Sequence, residues 1–267
     1  MNFLPPDIFE PQGDTLAARP TIVLAFGGSF IGGQKEDMHN LCLYYARKGY
    51  IAVSIDYRLY DGPLIPIPNG TVMTDEVVKA VSDMKAAIRY LREDAATNNI
   101  FKIDTNLIFA GGISAGGILA SHLAYLDSTD SYDAEITSAI ANNGGWNGNS
   151  SSNYQYSSEV QGVINYSGAL KEAVYIDNTD PPLFSVHDDN DGTVPYAAGF
   201  ATIFGFPIIA LEGSYLMHQR TDSLNINNFL ITIPSSNGHV SYFGGSSWRD
   251  SVETSSCVFM KGIICPS

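Results

Sequence analysis

Apolar residues come in short continuous blocks along this chain, separated by stretches with helical spacing. Thr21-Ile22-Val23-Leu24-Ala25-Phe26 is one such block, bounded by Pro20 and by Gly27-Gly28. A run of this length, closed by proline and glycine, predicts a strand buried on both faces. Tyr50 to Ile55, Asn106 to Ala110, Val163 to Tyr166, Leu183 to His187 and Phe229 to Ile233 read the same way. Lys35 to Lys48 predicts a helix. A second, longer helix is expected to start at Thr74 as its cap, with Asp75 and Glu76 in the first turn. Its Val77, Val81, Met84, Ile88 and Leu91 form one apolar stripe facing a core. A third helix is expected to run to about Leu126 and a last one over Trp248 to Met260, with helices filling the remaining gaps. Trp248 reads as core packing.

Strands alternating with helices predict an α/β fold. It would be a mostly parallel central sheet with helices on both faces, three layers in all, with residues 1–267 forming a single domain. Residues 1–19 read as an irregular lead-in with Pro5, Pro6 and Pro11, and 61–70 as a Pro/Gly-rich loop. Residues 128–160, rich in Ser, Asn, Gly and Tyr, read as a surface excursion over one end of the sheet. Excursions of that length often serve as lids or binding loops.

Charge narrows the classes of partner. The 267 residues include 28 acidic and 14 basic side chains, for a net charge of −14. Such a chain repels phosphate backbones and anionic membranes, so no nucleic acid partner is expected. No apolar run reaches the length of a transmembrane helix. The N-terminus shows no basic and apolar leader. The low-Lys, Ser/Asn-rich composition points to a secreted or periplasmic protein whose leader has been removed, with the cytoplasm left open. Three cysteines are present, Cys42, Cys257 and Cys265. Cys42 falls on an apolar helix face. Cys257 and Cys265 are expected to close a small terminal loop as a disulfide. No Cys/His cluster has zinc spacing, and the acidic run at 188–191 lacks the glycine placement and distal Glu of a calcium loop. Neither a metal nor a cofactor is expected.

The chemistry is concentrated in Gly112-Ile113-Ser114-Ala115-Gly116, which sits between an apolar strand and a helix. In that context G-x-S-x-G is a nucleophile elbow. Glycines two before and two after the serine let a sharp turn lift its hydroxyl above the sheet edge, at a helix N-terminus. An acyl-transfer site also needs preorganised N–H donors for the oxyanion. Ala115, next to the nucleophile, is one candidate. Gly28 and Ser29, in the Phe26-Gly27-Gly28-Ser29-Phe30 loop after the first core strand, are the others. Of five histidines, His239 lies in a loop after the last core strand, where the chain returns to the nucleophile's edge; it is the candidate base. His39 and His122 fall in helical stretches, and His218 in another that can line the cleft. His187 ends a strand and fits an orienting role. The acid is expected after the fifth strand. Asp191, at the loop's far end beside Gly192, is preferred, with Asp189 in reserve.

With these residues the chain resembles the α/β-hydrolase carboxylesterases, including those with an H-G-G-G-type oxyanion loop. Phe26-Gly27-Gly28-Ser29-Phe30, Asp56-Tyr57-Arg58-Leu59, the Gly112 to Gly117 elbow and Asp191-Gly192-Thr193-Val194-Pro195-Tyr196 carry the resemblance. It spans roughly residues 7–262. The order Ser114, Asp191, His239 is that of α/β-hydrolases. The chain departs from the family in Phe26, which stands where a histidine is usual, in Ser29 for a third glycine, and in Asp188 for a glycine.

The resemblance implies hydrolysis of carboxylic esters through an acyl-enzyme on Ser114. Phe30, Trp146, Tyr154 and Tyr156 are candidates for the substrate cleft, where aromatic rings stack on an aromatic acyl group. Small or polymeric esters fit, whether feruloyl-like, polyester or short-chain. A serine peptidase on the same fold and a non-catalytic binding protein that kept the fold are the rival readings. The sequence is silent on oligomeric state.

Overall fold

Each of the six apolar runs is a strand in the computed structural model, which describes residues 5–245 and 247–266. Met1 to Leu4, on which the reading of the N-terminus began, lie outside the described residues, as do Ser246 and Ser267. In chain order the elements are β1 (Asp7–Phe9), β2 (Arg19–Ala25), α1 (His39–Arg47), β3 (Ile51–Ile55), α2 (Gly70–Ala96), β4 (Ile103–Ile113), α3 (Ala115–Tyr125) and α4 (Ala134–Asn142). They continue with β5 (Val163–Tyr166), β6 (Ala169–Leu170), β7 (Leu183–Asp188), β8 (Ala198–Ile203), β9 (Phe206–Gly213), α5 (Ser214–Ser223), β10 (Asn228–Ile233) and α6 (Arg249–Ile264).

Seven strands form the main sheet in the order β1-β3-β2-β4-β5-β7-β10. Only β1 runs antiparallel to its neighbour. Every residue of β3, β5 and β7 is buried, as a sheet covered on both faces requires. α1 and α6 meet through buried hydroxyls: Tyr45 Oη lies 2.7 Å from Tyr166 Oη and 2.8 Å from Ser256 Oγ. α2 packs against α3, α4 and β4. Because the strands run parallel, β2, β4, β7 and β10 all deliver their C-terminal loops to one edge of the sheet, and the functional residues gather there.

Several expectations are corrected. α2 starts a turn before Thr74. Asn69 is its cap, accepting from the Val72 amide at 3.0 Å, and Thr74 is buried inside the helix, its hydroxyl bonded to the Gly70 carbonyl. The gap between β7 and α5 holds a β-hairpin rather than a helix: β8 and β9 pair antiparallel and, with β6, form a second sheet. The lead-in contains β1. The 128–160 excursion contains α4, capped by the Asp133 carboxylate on the Ile136 amide. Side chains of α2 hold the rest of it, Lys85, Arg89 and Arg92 donating to carbonyls of Trp146, Asn147, Ser157 and Glu159. Trp248 stands 38% exposed at the start of α6 and not in the core.

The expected Cys257–Cys265 disulfide is absent, and both thiols are free. α6 runs on to Ile264. Eight residues of helix separate the two positions by about 12 Å at about 1.5 Å per residue, roughly twice the Cα separation a disulfide spans. Cys42 is buried, as its helix face implied.

Candidate active site

The elbow forms because glycine leaves room for it. A Cβ on Gly112 would fall 2.4 Å from the Gly116 carbonyl carbon, and one on Gly116 only 2.0 Å from the Ala25 carbonyl oxygen. Two backbones therefore touch where β4 turns into α3. Ser114 takes the turn at φ 56° and ψ −116°, a conformation that costs a non-glycine residue about 1–3 kcal/mol. Its amide donates to the Tyr166 carbonyl at 2.7 Å, which fixes the turn against β5.

Ser114, His239 and Asp191 come together from three separate loops. Ser114 Oγ lies 2.7 Å from His239 Nε2, and His239 Nδ1 lies 2.6 Å from Asp191 Oδ2. A carboxylate can only accept, so Nδ1 carries the proton and Nε2 is left to accept from the serine hydroxyl. Asp191 has no exposed side-chain surface. Burial pushes its carboxyl up, but hydrogen bonds from His187 and His239, the charge of His239 and the Thr193 amide outweigh it and leave the group at about 2. The Thr193 and Val194 amides both donate to its second oxygen, Oδ1, at 2.8 and 3.1 Å.

The neighbouring acids hold the loop that carries His239. Asp189, the reserve candidate for the acid, accepts from the Ser235 and Ser236 amides at 2.8 and 3.0 Å. Asp188 accepts from the Ser236 hydroxyl, the Ser241 hydroxyl and the Ser241 amide. The loop carrying His239 is thus pinned on both sides of the imidazole. Behind Asp191 lies His187, fully buried. Its Nε2 faces two acceptors, Asp191 Oδ2 at 3.3 Å and the Val194 carbonyl at 3.1 Å, so that nitrogen carries its proton. Nδ1 then accepts from Ser214 Oγ at 2.8 Å, and Ser214 accepts from Asn165 Nδ2 at 3.1 Å. His122 and His218 are buried and held well below the usual histidine range, at about 4, chiefly by burial. Both are neutral; His122 lines the same cavity as Ser114, and His218, expected to line the cleft, does not.

In the loop after β2, Gly28 has φ +130°, and a Cβ there would meet the Gly32 carbonyl oxygen at 2.1 Å. Ser29 and Phe30 follow with φ 56° and 60°. Phe26, standing where the family usually has histidine, stacks on Tyr57 with ring centroids 4.3 Å apart, while the Tyr57 hydroxyl donates to the Phe26 carbonyl at 2.9 Å.

Ser29, Phe30, Ser114 and Ala115 help line a predominantly apolar cavity of about 1080 Å³, open solvent included. The cavity runs beside α3 past Ile118 and His122. α2 supplies a wall of Thr74, Val77, Val78, Val81, Ser82 and Lys85, and α4 supplies Ile136 and Ile140. The β8–β9 hairpin closes it with Ala201, Ile203, Ile208, Ile209 and Leu211. Trp146 is in the wall; Tyr154 and Tyr156 are not. Tyr154 turns outward, 47% exposed, its ring under Arg89 and its hydroxyl on the Gly148 carbonyl. The sequence reading missed this cavity, because Val77 and Val81 were taken with the core stripe and the hairpin was read as helix. Lys85 carried a signal of its own: it continues the Val77, Val81 stripe at the next fourth position.

The family model described as BD-FAE matches residues 6–171. No curated protein matches the sequence. Among solved structures, the propionate-bound esterase Est2 of the planctomycete Thermogutta terrifontis is 21% identical with a TM-score of 0.68, over 96% of this chain and 88% of that one. Thermogutta terrifontis esterase 2 phosphorylated by paraoxon gives 21% and 0.68, over 97% and 90%. The apo form of the same esterase gives 20% and 0.68, over 97% and 90%. The likeness shows the α/β-hydrolase fold, with its mostly parallel sheet and covering helices.

Proposed function

The chain belongs to the BD-FAE family, and we propose that it hydrolyses carboxylic esters through an acyl-enzyme on Ser114. The observation that carries this reading is the unbroken line Ser114 Oγ–His239 Nε2 and His239 Nδ1–Asp191, at 2.7 and 2.6 Å, opening onto an apolar cavity. The esterases that share the fold support it.

In this reading His239 takes the Ser114 proton as the serine oxygen attacks the ester carbonyl. Asp191 keeps the imidazole in the tautomer that can accept that proton, then stabilises the imidazolium. Ala115, Gly28 and Ser29 supply N–H donors to the oxyanion, and the N-terminus of α3 adds its positive end. His239 returns its proton to the departing alcohol. It then draws a proton from water as the water oxygen attacks the acyl carbon, and gives that proton to Ser114 Oγ as the C–Oγ bond breaks and the acid leaves. The chemistry runs on these side chains and water.

Substrate class follows the walls. Phe30 and Trp146 flank the cavity and suit an aromatic or extended apolar group, from small esters or from the end of a polymer. No helix among the described residues is long and apolar enough to cross a membrane. The Lys-poor, acidic composition suits work outside the cytoplasm.

The test is a panel of p-nitrophenyl esters and peptide p-nitroanilides against wild type and Ser114→Ala. Ester turnover is expected to fall by about 10³-fold or more in the variant, with the melting curve kept. Turnover within tenfold of wild type overturns the assignment of the nucleophile. A preference for anilides favours the peptidase. An unreactive Ser114 toward a fluorophosphonate favours a binding protein.

A further inference from the structure

The cavity contains a charge that the ester chemistry does not use. Lys85 lies on α2 in register with Val77 and Val81, so its side chain belongs to the apolar wall. Its ammonium makes one hydrogen bond, to the Trp146 carbonyl at 2.9 Å, and lies 5.7 Å from the centre of that ring. An ammonium has three donors. Among the described residues no carboxylate pairs with it. One turn further on, Arg89 is 3% exposed, also has no carboxylate, and its Nε has no partner. Burial, and then the charge of Arg89, lower the Lys85 group to about 8.

This concentration of positive charge runs against the composition. The chain has 28 acidic and 14 basic residues, yet the cavity wall carries two lysines, Lys85 and Lys171, and neither an aspartate nor a glutamate. Buried charges are normally paired, because desolvation otherwise costs several kcal/mol. Two adjacent cations without a counter-charge, beside an apolar cavity that opens at a nucleophile, are complementary to an anion held at the far end of an apolar arm.

The length of that arm is readable from the helix. β3 delivers the chain to the edge where Ser114 sits, and α2 returns it toward the opposite edge, where β4 begins. Thr74 and Lys85 both line the cavity, eleven residues apart. At about 1.5 Å per residue, Lys85 lies roughly 16 Å along α2 from Thr74. The acyl side is the part that stays on Ser114 while the alcohol leaves, so it is the side that belongs in the enclosed arm.

We propose that the cavity selects half-esters of dicarboxylic acids, with the free carboxylate of the acyl arm received by the Lys85 ammonium. The proposal rests on the ester-hydrolase reading and names the substrate of the same site. The acidic surface opposes such a substrate at long range, but salt screens that field beyond about 10 Å, whereas the ammonium acts at contact in a part-buried wall.

The experiment compares p-nitrophenyl half-esters of adipate, suberate, sebacate and dodecanedioate with their terminal carboxamides, which match them in shape without the charge. Wild type is expected to prefer the acid over the amide by about tenfold or more in kcat/KM, most strongly in the longer members. Lys85→Met is expected to lose that preference, its acid-to-amide ratio in kcat/KM falling to about one. A Lys85 that only pins Trp146 would lower both series together and leave the acid-to-amide ratio unchanged, which overturns the proposal. A second measurement does not depend on turnover: calorimetric binding of free sebacate and of decanoate to Ser114→Ala. Tighter binding of sebacate supports the anion site even if no ester is cleaved, in which case the ester reading alone fails. Ester cleavage with equal or weaker sebacate binding sinks this inference and leaves the function standing.

Discussion

Replacing Asp191 by Asn changes one atom and should disable the site without unfolding it. Oδ1 of Asp191 accepts from the Thr193 and Val194 amides at 2.8 and 3.1 Å. An asparagine must keep its oxygen there, which places its NH₂ at the Oδ2 position. That position faces His239 Nδ1 at 2.6 Å and His187 Nε2 at 3.3 Å, both of which carry protons in the wild type. Donor then meets donor. His239 escapes by moving its proton to Nε2, the nitrogen that has to accept from Ser114, and general-base catalysis stops. The expected loss in kcat is about 10⁴-fold. The stability cost follows from linkage. The folded carboxyl is held at about 2 against an ordinary value of 3.8, and its side chain is fully buried. A depressed carboxyl contributes stability that is present above the unfolded value and is lost as pH falls through the folded one. At neutral pH that contribution is roughly 2 kcal/mol, so the variant should be less stable by about that amount at pH 7 and nearly equal to wild type near pH 2. Steady-state hydrolysis of p-nitrophenyl acetate gives kcat, and urea unfolding at several pH values gives the stability. Asp189→Asn is the control. If it loses 10⁴-fold while Asp191→Asn stays within tenfold, the acid was assigned to the wrong residue.

Two further changes probe the frame and the surface. Gly116→Ala places a methyl 2.0 Å from the Ala25 carbonyl oxygen. β2 and α3 must then separate, and we expect a loss of about 1–3 kcal/mol in urea unfolding together with at least tenfold in kcat/KM; a variant that matches wild type in both would refute the close-approach account of the elbow. Asp180 is raised to about 7 by burial first and then by the charges of Asp177, Asp127 and Asp130, against a partial offset from the Asp177 amide. A carboxyl raised on folding takes up a proton, so it weakens the fold as pH rises from about 4 through 7. Asp180→Asn should therefore gain stability over wild type at pH 7.5 and little at pH 4.5; an equal difference at both values would contradict the shift.

Most of the candidate site's geometry was legible in the sequence because its elements are local. An apolar block followed at once by G-x-S-x-G can be built in one way, and Gly112 and Gly116 are glycines for steric reasons visible in the chain. Asp191 and His239 are far from Ser114 in sequence, but a parallel sheet brings every strand's C-terminal loop to the same edge. Their meeting follows from topology. The helix start was misplaced because Thr74 was read as the cap, whereas Asn69 accepts the Val72 amide and Thr74 lies inside the helix, bonded to the Gly70 carbonyl. The Cys257–Cys265 loop failed for a related reason: a spacing that suits a disulfide in a loop is far too long once α6 continues to Ile264.

The cavity was illegible because its wall is written in the same code as a core. Met84, Ile88 and Leu91 are fully buried in α2 and pack the sheet, whereas Val77 and Val81 on the same stripe are only partly buried and face empty space. Periodicity reports that a face is apolar, not whether anything fills the volume opposite it. What fills it depends on the β8–β9 hairpin and α4, which meet α2 only in three dimensions. A charged residue in register with an apolar stripe is the exception that pattern can detect. On a core-facing stripe Lys85 would be an uncompensated buried charge, which a stable fold avoids. Its presence there means either that the stripe leaves the core at that turn or that a counter-charge arrives from elsewhere. The structure shows the first to be true, since Lys85 lines the cavity. Among the described residues no carboxylate pairs with the ammonium, and it is this lack of a partner that the half-ester proposal turns on. Ser114 and Lys85 line the same cavity.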